Sequence, residues 1–286
     1  MTASPLTRRS MRNFIVRTLV GALFLAVMVC GIIFNETLFG CLFAIIMMQA
    51  MREFYDISLG ESFKKQRTLA LLSAVVFYLA VYANLVYGTD PRWMAAALLP
   101  LALIPVSCIF DREHSDFDRV SLVYSGLLYI ALPVSLVPHL VVRDGFFDGT
   151  LLLSLFIIIW VSDVGAYCLG TLLGQKENSA KLAPSISPKK SWWGFWGGMI
   201  LGTAAAVGLY FLTWMPYRLV HAIALGVIVS AGGVCGDLVE SLWKRRYGVK
   251  DSGNCIPGHG GMLDRFDSSL IAIPLAAVYM IIFNLL

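Results

Sequence analysis

The chain has 286 residues, of which 58% are hydrophobic and 14% are charged, and its net charge is +4. A soluble domain has roughly 45–50% apolar and about 25% charged residues, so a core of this length cannot bury so much apolar surface. The composition excludes a soluble globular protein and predicts a protein whose solvent includes the lipid bilayer. The six cysteines form no C-x-x-C pair, which favours small buried hydrophobic residues over a metal site or a disulfide framework.

Nine continuous apolar stretches predict nine transmembrane helices, of which the second is short. Their predicted limits are 14–34, 37–51, 68–87, 93–110, 120–142, 150–173, 195–214, 219–240 and 268–286. Continuous runs favour helices over barrel strands, whose residues alternate. The first run is long for a signal peptide and no small-residue cleavage site follows it, so we expect it to be retained. The predicted fold is an all-α polytopic membrane bundle, with about five spans in 1–142 and a catalytic region in 143–286.

The distribution of basic residues predicts the orientation of these spans. If the N-terminus is cytoplasmic and each stretch crosses once, 18 of the 22 Lys and Arg residues face the cytoplasm and three face the outside. The 18 lie in the segments 1–13, 52–67, 111–119, 174–194 and 241–267. This asymmetry agrees with the positive-inside bias of membrane proteins. The two longest cytoplasmic loops, 174–194 and 241–267, have room for a site.

Polar residues gather at the end of the eighth span. Asp237, Ser241 and Lys244 are spaced to lie on one face of a helix, with Glu240 beside them. A carboxylate in an apolar run is costly in lipid, so Asp237 is expected to face protein or a wet cavity. The alternative for the basic run 244–246 is an interfacial helix end whose side chains reach towards lipid phosphates.

A glycine-rich loop and two more carboxylates follow this helix. Backbone N–H groups of such a loop can approach an anion. Its glycines are Gly253, Gly258, Gly260 and Gly261. Asp264 and Asp267 come next, at the start of the last apolar span, where carboxylates also serve as ordinary helix caps. Together with Asp237 they form an all-oxygen set suited to Mg²⁺, and nearby basic residues suit the phosphates that Mg²⁺ bridges. His259 is a candidate hydrogen-bond donor within the loop.

A third group of candidates lies in the sixth span and the loop after it. Asp163 is an ionisable residue inside an apolar run, four residues before Tyr167 on the same helical face, which makes it a functional candidate or a structural hydrogen-bonding group. Ser187, Lys189 and Lys190 in the following loop are suited to binding phosphate. The tryptophans after them are also typical of the aromatic belt at a membrane boundary.

The 27-residue stretch SLWKRRYGVKDSGNCIPGHGGMLDRFD, from Ser241 to Asp267, resembles the signature of the phosphatidate cytidylyltransferases, also called CDP-diacylglycerol synthases. It pairs S-x-x-K-R and K-D with P-x-H-G-G-x-x-D-R-x-D. The blocks Ser162–Tyr167 and Ser187–Lys190 agree as well, so the resemblance covers the C-terminal half of the chain. Ser191 and Trp193 stand where the family usually has threonine and glutamate, and Trp243 replaces a smaller apolar residue, which we expect to be a packing change.

The resemblance implies that CTP and phosphatidic acid react at a bacterial inner membrane, on its cytoplasmic side, to give CDP-diacylglycerol and pyrophosphate. It implies Mg²⁺ as cofactor, held by Asp237, Asp264 and Asp267, and leaves open whether a monovalent cation joins it. The catalytic set is then Asp237, Ser241, Lys244, Arg245, Lys250, Asp251, His259, Asp264 and Asp267. The substrate-binding set is Asp163, Ser187, Lys189, Lys190, Gly260, Gly261 and Arg265. We also expect a homodimer, and no nucleic-acid polymer as a partner.

Two other functions compete with this prediction. A relative with the same chemistry on another lipid, such as a CTP-dependent polyprenol kinase or an ether-lipid cytidylyltransferase, would use the same metal and phosphate groups. A transporter from a different class would use Asp163 and Asp237 as coupling-ion sites near the membrane midplane. The sequence contains no inverted repeat, and its charged cluster lies at one face, which disfavours the transporter.

Overall fold

The computed structural model describes residues 5–110, 117–143, 145–176, 179–256, 258 and 260–286, with side chains from residue 17 onward. Within these residues the chain is a bundle of long helices. Two short antiparallel hairpins are added to the bundle, and each has only two strands.

The helices in chain order are α1 (Pro5–Ile33), α2 (Glu36–Leu59), α3 (Lys64–Tyr87), α4 (Leu98–Ile109), α5 (Val120–Gly126), α6 (Leu132–Leu136), α7 (Thr150–Leu172), α8 (Trp192–Phe211), α9 (Leu219–Arg246), α10 (Leu263–Phe266) and α11 (Ser269–Ile282). Short 3₁₀ or π turns extend several of them, at Pro91–Ala97, Phe117–Arg119, Leu127–Ala131 and Val137–Leu140. The strands are β1 (Val142–Arg143), β2 (Phe146–Phe147), β3 (Lys181–Ala183) and β4 (Ser187–Ser191).

Eight helical segments are long and apolar enough to cross a bilayer, as judged from their length and composition, and Arg17–Ile33 adds a shorter apolar helix. The eight are Glu36–Leu59, Lys64–Tyr87, Pro91–Ile109, Phe117–Leu140, Thr150–Leu172, Trp192–Phe211, Leu219–Arg246 and Leu263–Ile282. They correspond one by one to the second to ninth predicted stretches, and Arg17–Ile33 corresponds to the first. The predicted all-α polytopic membrane fold is therefore confirmed. Residues 111–116 of the predicted loop 111–119 lie outside the described residues.

Several predicted helix limits are wrong because polar residues continue the helix, and the ends of α2 and α9 show this most clearly. The second span was expected to stop at residue 51, but α2 runs on to Leu59. Its extra turns are stabilised because Glu53 is buried among hydrogen-bond donors and Asp56 pairs with Arg67. Likewise α9 continues past residue 240 to Arg246, so the glycine loop starts at Tyr247. An i,i+4 ion pair between Glu240 and Lys244 supports this extension.

Glycines bring α7, α8 and α9 unusually close together. A Cβ atom on Gly165 of α7 would lie 2.5 Å from the carbonyl oxygen of Gly197 on α8, and one on Gly197 would lie 2.6 Å from the carbonyl oxygen of Gly165. On the other side of α8, a Cβ atom on Gly202 would lie 2.1 Å from the Ser230 Oγ of α9. Small residues at helix crossings are the usual means of close packing in membranes. This packing places polar residues of α7 and α9 around one cavity.

The first half of the chain is tied together by tyrosine hydroxyls that cross between helices. Tyr55 donates to the Val123 carbonyl at 2.7 Å, and Tyr82 donates to the Glu36 carbonyl at 2.7 Å. Each buried hydroxyl thereby gains the partner that lipid cannot supply. At the start of α2, the Asn35 side chain caps the helix by accepting from two backbone N–H groups. The α1–α2 connection is consequently a tight turn.

Candidate active site

A cavity of about 760 Å³ lies between α7, β4, α8, α9 and the start of the last span. Its described lining carries both acidic and basic side chains. The acidic ones are Asp163, Asp237, Asp264 and Asp267, and the basic ones are Lys189, Lys190 and Arg265. Seven of the predicted site residues are therefore brought together from four separate segments of the chain. A cavity with both signs of charge suits a polyphosphate and a cation together.

Asp264 is held firmly by its surroundings. One carboxylate oxygen, Oδ2, accepts from the backbone N–H groups of Ser252 and Gly261, both at 2.9 Å. The other, Oδ1, accepts from the Lys244 ammonium at 2.8 Å. The side chain is only 6% exposed. Its position in the wall of the cavity is thus fixed before any ligand arrives.

Lys244 connects two carboxylates of this wall. Its Nζ atom lies 2.8 Å from both Glu240 Oε2 and Asp264 Oδ1. Glu240 is fully buried, and its second oxygen, Oε1, has no hydrogen-bond partner among the described residues. A buried ion pair is strongly destabilising when one partner is removed, at about 3–5 kcal/mol. The contacts of Lys244 are therefore with protein carboxylates, which is a structural role in addition to the predicted catalytic one.

Asp237 is the more accessible carboxylate of the site. Its Oδ2 atom pairs with Lys190 of β4 at 2.7 Å, and its Oδ1 atom accepts from Ser241 one turn later on α9 at 3.2 Å. The Asp237 side chain is 39% exposed towards the cavity. The predicted one-face arrangement of Asp237 and Ser241 is confirmed by this hydrogen bond.

The hairpin β3–β4 supplies the basic wall. Lys189 and Lys190 sit near the end of β4, and the next residue, Ser191, caps α8 by accepting from the Gly194 N–H at 3.2 Å. The Gln175 side chain donates to the Lys189 carbonyl at 3.0 Å. The two lysines are thereby aimed from the start of α8 across to α7 and α9. The hydroxyl at 191 serves as a helix cap.

The glycine loop needs its glycines where the chain turns or approaches carboxylates. Gly258 and Gly260 have positive φ angles of +77° and +85°, which L side chains rarely adopt. A Cβ atom on Gly260 would also lie 2.6 Å from Asp264 Oδ2. Gly261 is buried and its N–H binds Asp264. The described residues of the loop therefore bind a protein carboxylate, that of Asp264. The predicted donor His259 lies outside the described residues.

Several predicted residues lie elsewhere than in the described lining of the cavity. Arg245 is exposed and donates to the Val249 carbonyl at 3.2 Å, just past the end of α9. Lys250 and Asp251 are exposed on the loop, and Ser187 is half-buried at the start of β4. Asp251 lies beside Gly260 near Asp264. None of the four lines the described cavity, and their predicted roles stay predictions.

Two buried residues of the site were missed by the sequence. Glu53 lies on α2, far away in sequence, yet it accepts from three groups of the glycine loop. Ser252 is buried in that loop and contacts both Glu53 and Asp264. The available signal was an acidic residue two positions after the end of an apolar run, and such a residue is also typical of an ordinary loop. No local pattern distinguishes the two cases.

The positions that depart from the family pattern have separate explanations. Trp243 stacks on Phe54 of α2, with ring centroids 4.9 Å apart, so the expected packing role is confirmed. Trp193 is half-exposed on the first turn of α8. An exposed indole at that position is typical of the membrane boundary.

The donor set around the cavity fits a divalent cation that also binds phosphate. Across the described residues, no three acidic, histidine or cysteine side chains form a complete metal site, so the three predicted ligands share a cavity without forming a closed cluster. A carboxylate offers about four lone-pair sites, of which Asp237 uses two and Asp264 uses three. Mg²⁺ typically takes one or two carboxylates and completes its shell with phosphate oxygens and water. The lone-pair sites that remain unused on Asp237 and Asp264 can supply these carboxylate ligands.

The chain matches the model of the Cytidylyltransferase family over residues 15–283. A phosphatidate cytidylyltransferase of Bacillus subtilis (strain 168) is 34% identical over 194 residues, which cover 67% of this chain and 69% of that protein. The Haemophilus influenzae protein of the same name is 34% identical over 221 residues, covering 75% and 69%. The Staphylococcus aureus (strain COL) protein is 45% identical over 132 residues, covering 46% and 48%.

The family match covers nearly the whole chain, including the α2 residue that contacts the glycine loop and every residue around the cavity. The shared family chemistry is nucleotidyl transfer, and the cavity offers phosphate-binding cations beside carboxylates in a membrane bundle. The chain belongs to the cytidylyltransferase family.

Proposed function

We propose that this membrane enzyme transfers the cytidylyl group of CTP to phosphatidic acid, giving CDP-diacylglycerol and pyrophosphate. The observation that carries the proposal is the cavity of mixed charge at the ends of membrane-spanning helices, in a chain similar to proteins named phosphatidate cytidylyltransferase. A site at such helix ends can receive a water-soluble nucleotide and a lipid headgroup together.

The reaction needs no protein nucleophile. An ionised phosphate oxygen of phosphatidic acid forms a bond to the α-phosphorus of CTP, and the bond from that phosphorus to the bridging oxygen breaks, releasing pyrophosphate. The protein has to align the two phosphates and neutralise their charge. Lys189, Lys190 and Arg265 line the cavity and supply the positive charge. Lys190 is well placed because its present partner, Asp237, is itself a cavity carboxylate.

Mg²⁺ is the proposed cofactor, and Asp237 and Asp264 would hold it, with Asp267 close by in the lining. When bound, it would neutralise phosphate charge and draw electrons from the α-phosphorus. Asp237 has acceptor sites that no described group uses. Four carboxylates also surround the cavity, and their negative charges attract a cation. A monovalent cation beside it is an open extension of the same proposal.

The site is proposed to face the cytoplasm of a bacterial inner membrane. The 18-to-3 distribution of basic residues supports this orientation, and the helix ends that form the cavity all fall on the side that carries the 18. Lys189→Cys and Lys250→Cys in a cysteine-free background test it with an impermeant maleimide. Labelling only after the membrane is permeabilised is expected, and labelling of intact cells at either position would contradict the orientation.

A homodimer is the proposed assembly, as the family resemblance implies. Its mass in lipid nanodiscs is the direct measurement, and a single chain per disc at all protein concentrations would contradict it.

Position-specific labels in CTP separate the proposed reaction from its rivals. Purified protein in liposomes receives CTP labelled at the α- or the γ-phosphorus, with phosphatidic acid or a polyprenol as acceptor. Cytidylyl transfer places the α-label in the lipid and the γ-label in pyrophosphate. A lipid kinase places the γ-label in the lipid. Transport of ions by the reconstituted protein without nucleotide, and with no labelled lipid, would favour the transporter.

A further inference from the structure

Glu53 of α2 sits where the first half of the chain meets the glycine loop. Its side chain is 5% exposed, although its sequence position suggested a cytoplasmic loop. Four donors surround its carboxylate. Oε1 accepts from Gln49 Nε2 at 3.1 Å and from the Met262 N–H at 2.9 Å, and Oε2 accepts from Ser252 Oγ and the Leu263 N–H, both at 2.9 Å.

The loop is shaped to receive this carboxylate. A Cβ atom on Gly261 would lie 2.3 Å from Glu53 Oε2, and one on Gly253 would lie 3.0 Å from the Glu53 carboxyl carbon. These glycines permit backbone N–H groups of the loop to close around the side chain. Burial and then the Glu53 charge raise the pKa of the Cys255 thiol in the same loop. The influence of Glu53 therefore extends along the loop.

Ser252 links Glu53 to the site carboxylate Asp264. Its Oγ atom donates to Glu53 and accepts from the Asp264 N–H at 3.2 Å, while its own N–H donates to Asp264 Oδ2 at 2.9 Å. The Leu263 N–H that binds Glu53 belongs to the residue directly before Asp264. Displacing Glu53 would therefore free two neighbours of Asp264: Ser252, which is hydrogen-bonded to Asp264, and Leu263, which precedes it in the chain.

The four contacts match the acceptors of a carboxylate. A carboxylate offers acceptors only, and each oxygen of Glu53 receives two donors. In a glutamine of the same shape, one oxygen becomes an NH₂ group, which would point at N–H or O–H donors. Aspartate keeps the charge but is one methylene shorter, so it can satisfy only part of the set.

We propose that Glu53 is a positioning residue for the cytidylyl transfer described above: it fixes Ser252, Met262 and Leu263 and thereby orients Asp264. The expected effect of Glu53 on catalysis rests on the proposed function. The fixing of the loop stands on the hydrogen bonds alone.

The experiment compares Glu53→Gln and Glu53→Asp with Glu61→Gln in the full chain in liposomes. Glu61 is the matched control, because it is exposed and pairs only with the nearby Lys64 among the described residues. Three quantities are measured: kcat and KM for CTP and phosphatidic acid, hydrogen exchange of the Met262 and Leu263 amides, and thermal unfolding.

In Glu53→Gln, we expect kcat to fall about 10- to 100-fold because a misplaced site group typically costs that much. The KM for phosphatidic acid should change less than about twofold, as binding away from Asp264 is intact. The two amides should exchange faster, Glu53→Asp should recover part of both losses, and Glu61→Gln should match the wild type.

Wild-type kcat and exchange in Glu53→Gln would overturn the proposal. So would a loss of activity that merely follows the fraction of folded protein, with kcat per folded molecule unchanged. If the wild type makes no CDP-diacylglycerol, the proposed function fails, but the exchange of the two amides still decides whether Glu53 fixes the loop.

Discussion

The two walls of the cavity are held in different ways. The acidic wall consists of the end of α9 with Asp237, the glycine loop, and α10 with Asp264. Asp264 and the α2 residue Glu53 behind it together accept seven hydrogen bonds. The basic wall is the β3–β4 hairpin, whose Lys190 reaches the opposite side through one ion pair with Asp237. One wall is fixed by buried contacts, and the other meets it through a partly exposed pair.

This difference suggests that the two walls have different functions in catalysis. Preorganised oxygens stabilise charge without having to rearrange during the reaction, which suits the groups that hold a cation. The Lys190–Asp237 pair is partly exposed and is screened by water in the cavity, so Lys190 can exchange Asp237 for a substrate phosphate more readily than a buried pair could. The acidic wall is expected to determine the rate, and the basic wall to determine substrate affinity.

The largest effects should come from neutralising the acidic wall. Asp237→Asn and Asp264→Asn keep the size of each side chain but remove the charge that attracts a divalent cation. We expect kcat to fall about 10²–10³-fold in each, even at saturating Mg²⁺, as for the loss of a preorganised electrostatic group. The measurement is steady-state turnover in liposomes, with Glu61→Gln as the control.

Asp264→Asn is expected to lower stability, but Lys244 keeps its second partner, Glu240, so turnover is counted per folded molecule. Near-normal turnover in a folded Asp264→Asn protein would show that the charge of Asp264 is not needed for catalysis.

A smaller effect is expected from the basic wall. Lys190→Gln removes a charged donor worth about 1.5–3 kcal/mol, so the KM for CTP or phosphatidic acid should rise about tenfold or more. Initial rates over a range of each substrate identify which one Lys190 binds. Lys64→Gln is the matched control, since Lys64 is an exposed lysine paired with Glu61. A large fall in kcat with unchanged KM would contradict this prediction, because Lys190 would then determine the rate and not substrate affinity.

The smallest effect is expected at Arg245, outside both walls. Its guanidinium binds the Val249 carbonyl at the end of α9, a contact that a lysine can also make. Arg245→Lys should therefore change kcat/KM for CTP by less than about twofold, as should Arg246→Lys next to it. Should Arg245→Lys alone lose efficiency, Arg245 would bind phosphate through its bidentate guanidinium group, in agreement with its place in the predicted catalytic set.

Much of the fold and part of the site follow from the sequence because their signals are local. Apolar runs specify the spans, and Asp163, Asp237, Asp264 and Lys190 stand out because ionisable groups near lipid need a reason to be there. All four line the cavity.

The rest depends on distant contacts. Glu53 and Leu263 are 210 positions apart, and only the packing of α2 against α10 shows that this acid is buried. The predicted end of α2 at residue 51 failed for the same reason, since a charged residue ends an apolar run whether it meets solvent or a partner.

Cation binding itself tests the central claim most directly, namely that Asp237 and Asp264 hold a divalent ion in this cavity. Mn²⁺ binds oxygen ligands like Mg²⁺ and is visible by electron paramagnetic resonance. A mixture of CTP and Mn²⁺ without protein sets the baseline, because CTP itself binds the ion. Without phosphatidic acid, the wild type and Glu61→Gln should deplete the free Mn²⁺ signal below that baseline, while Asp237→Asn and Asp264→Asn should leave it close to the baseline. Equal depletion by all four folded proteins would contradict the claim.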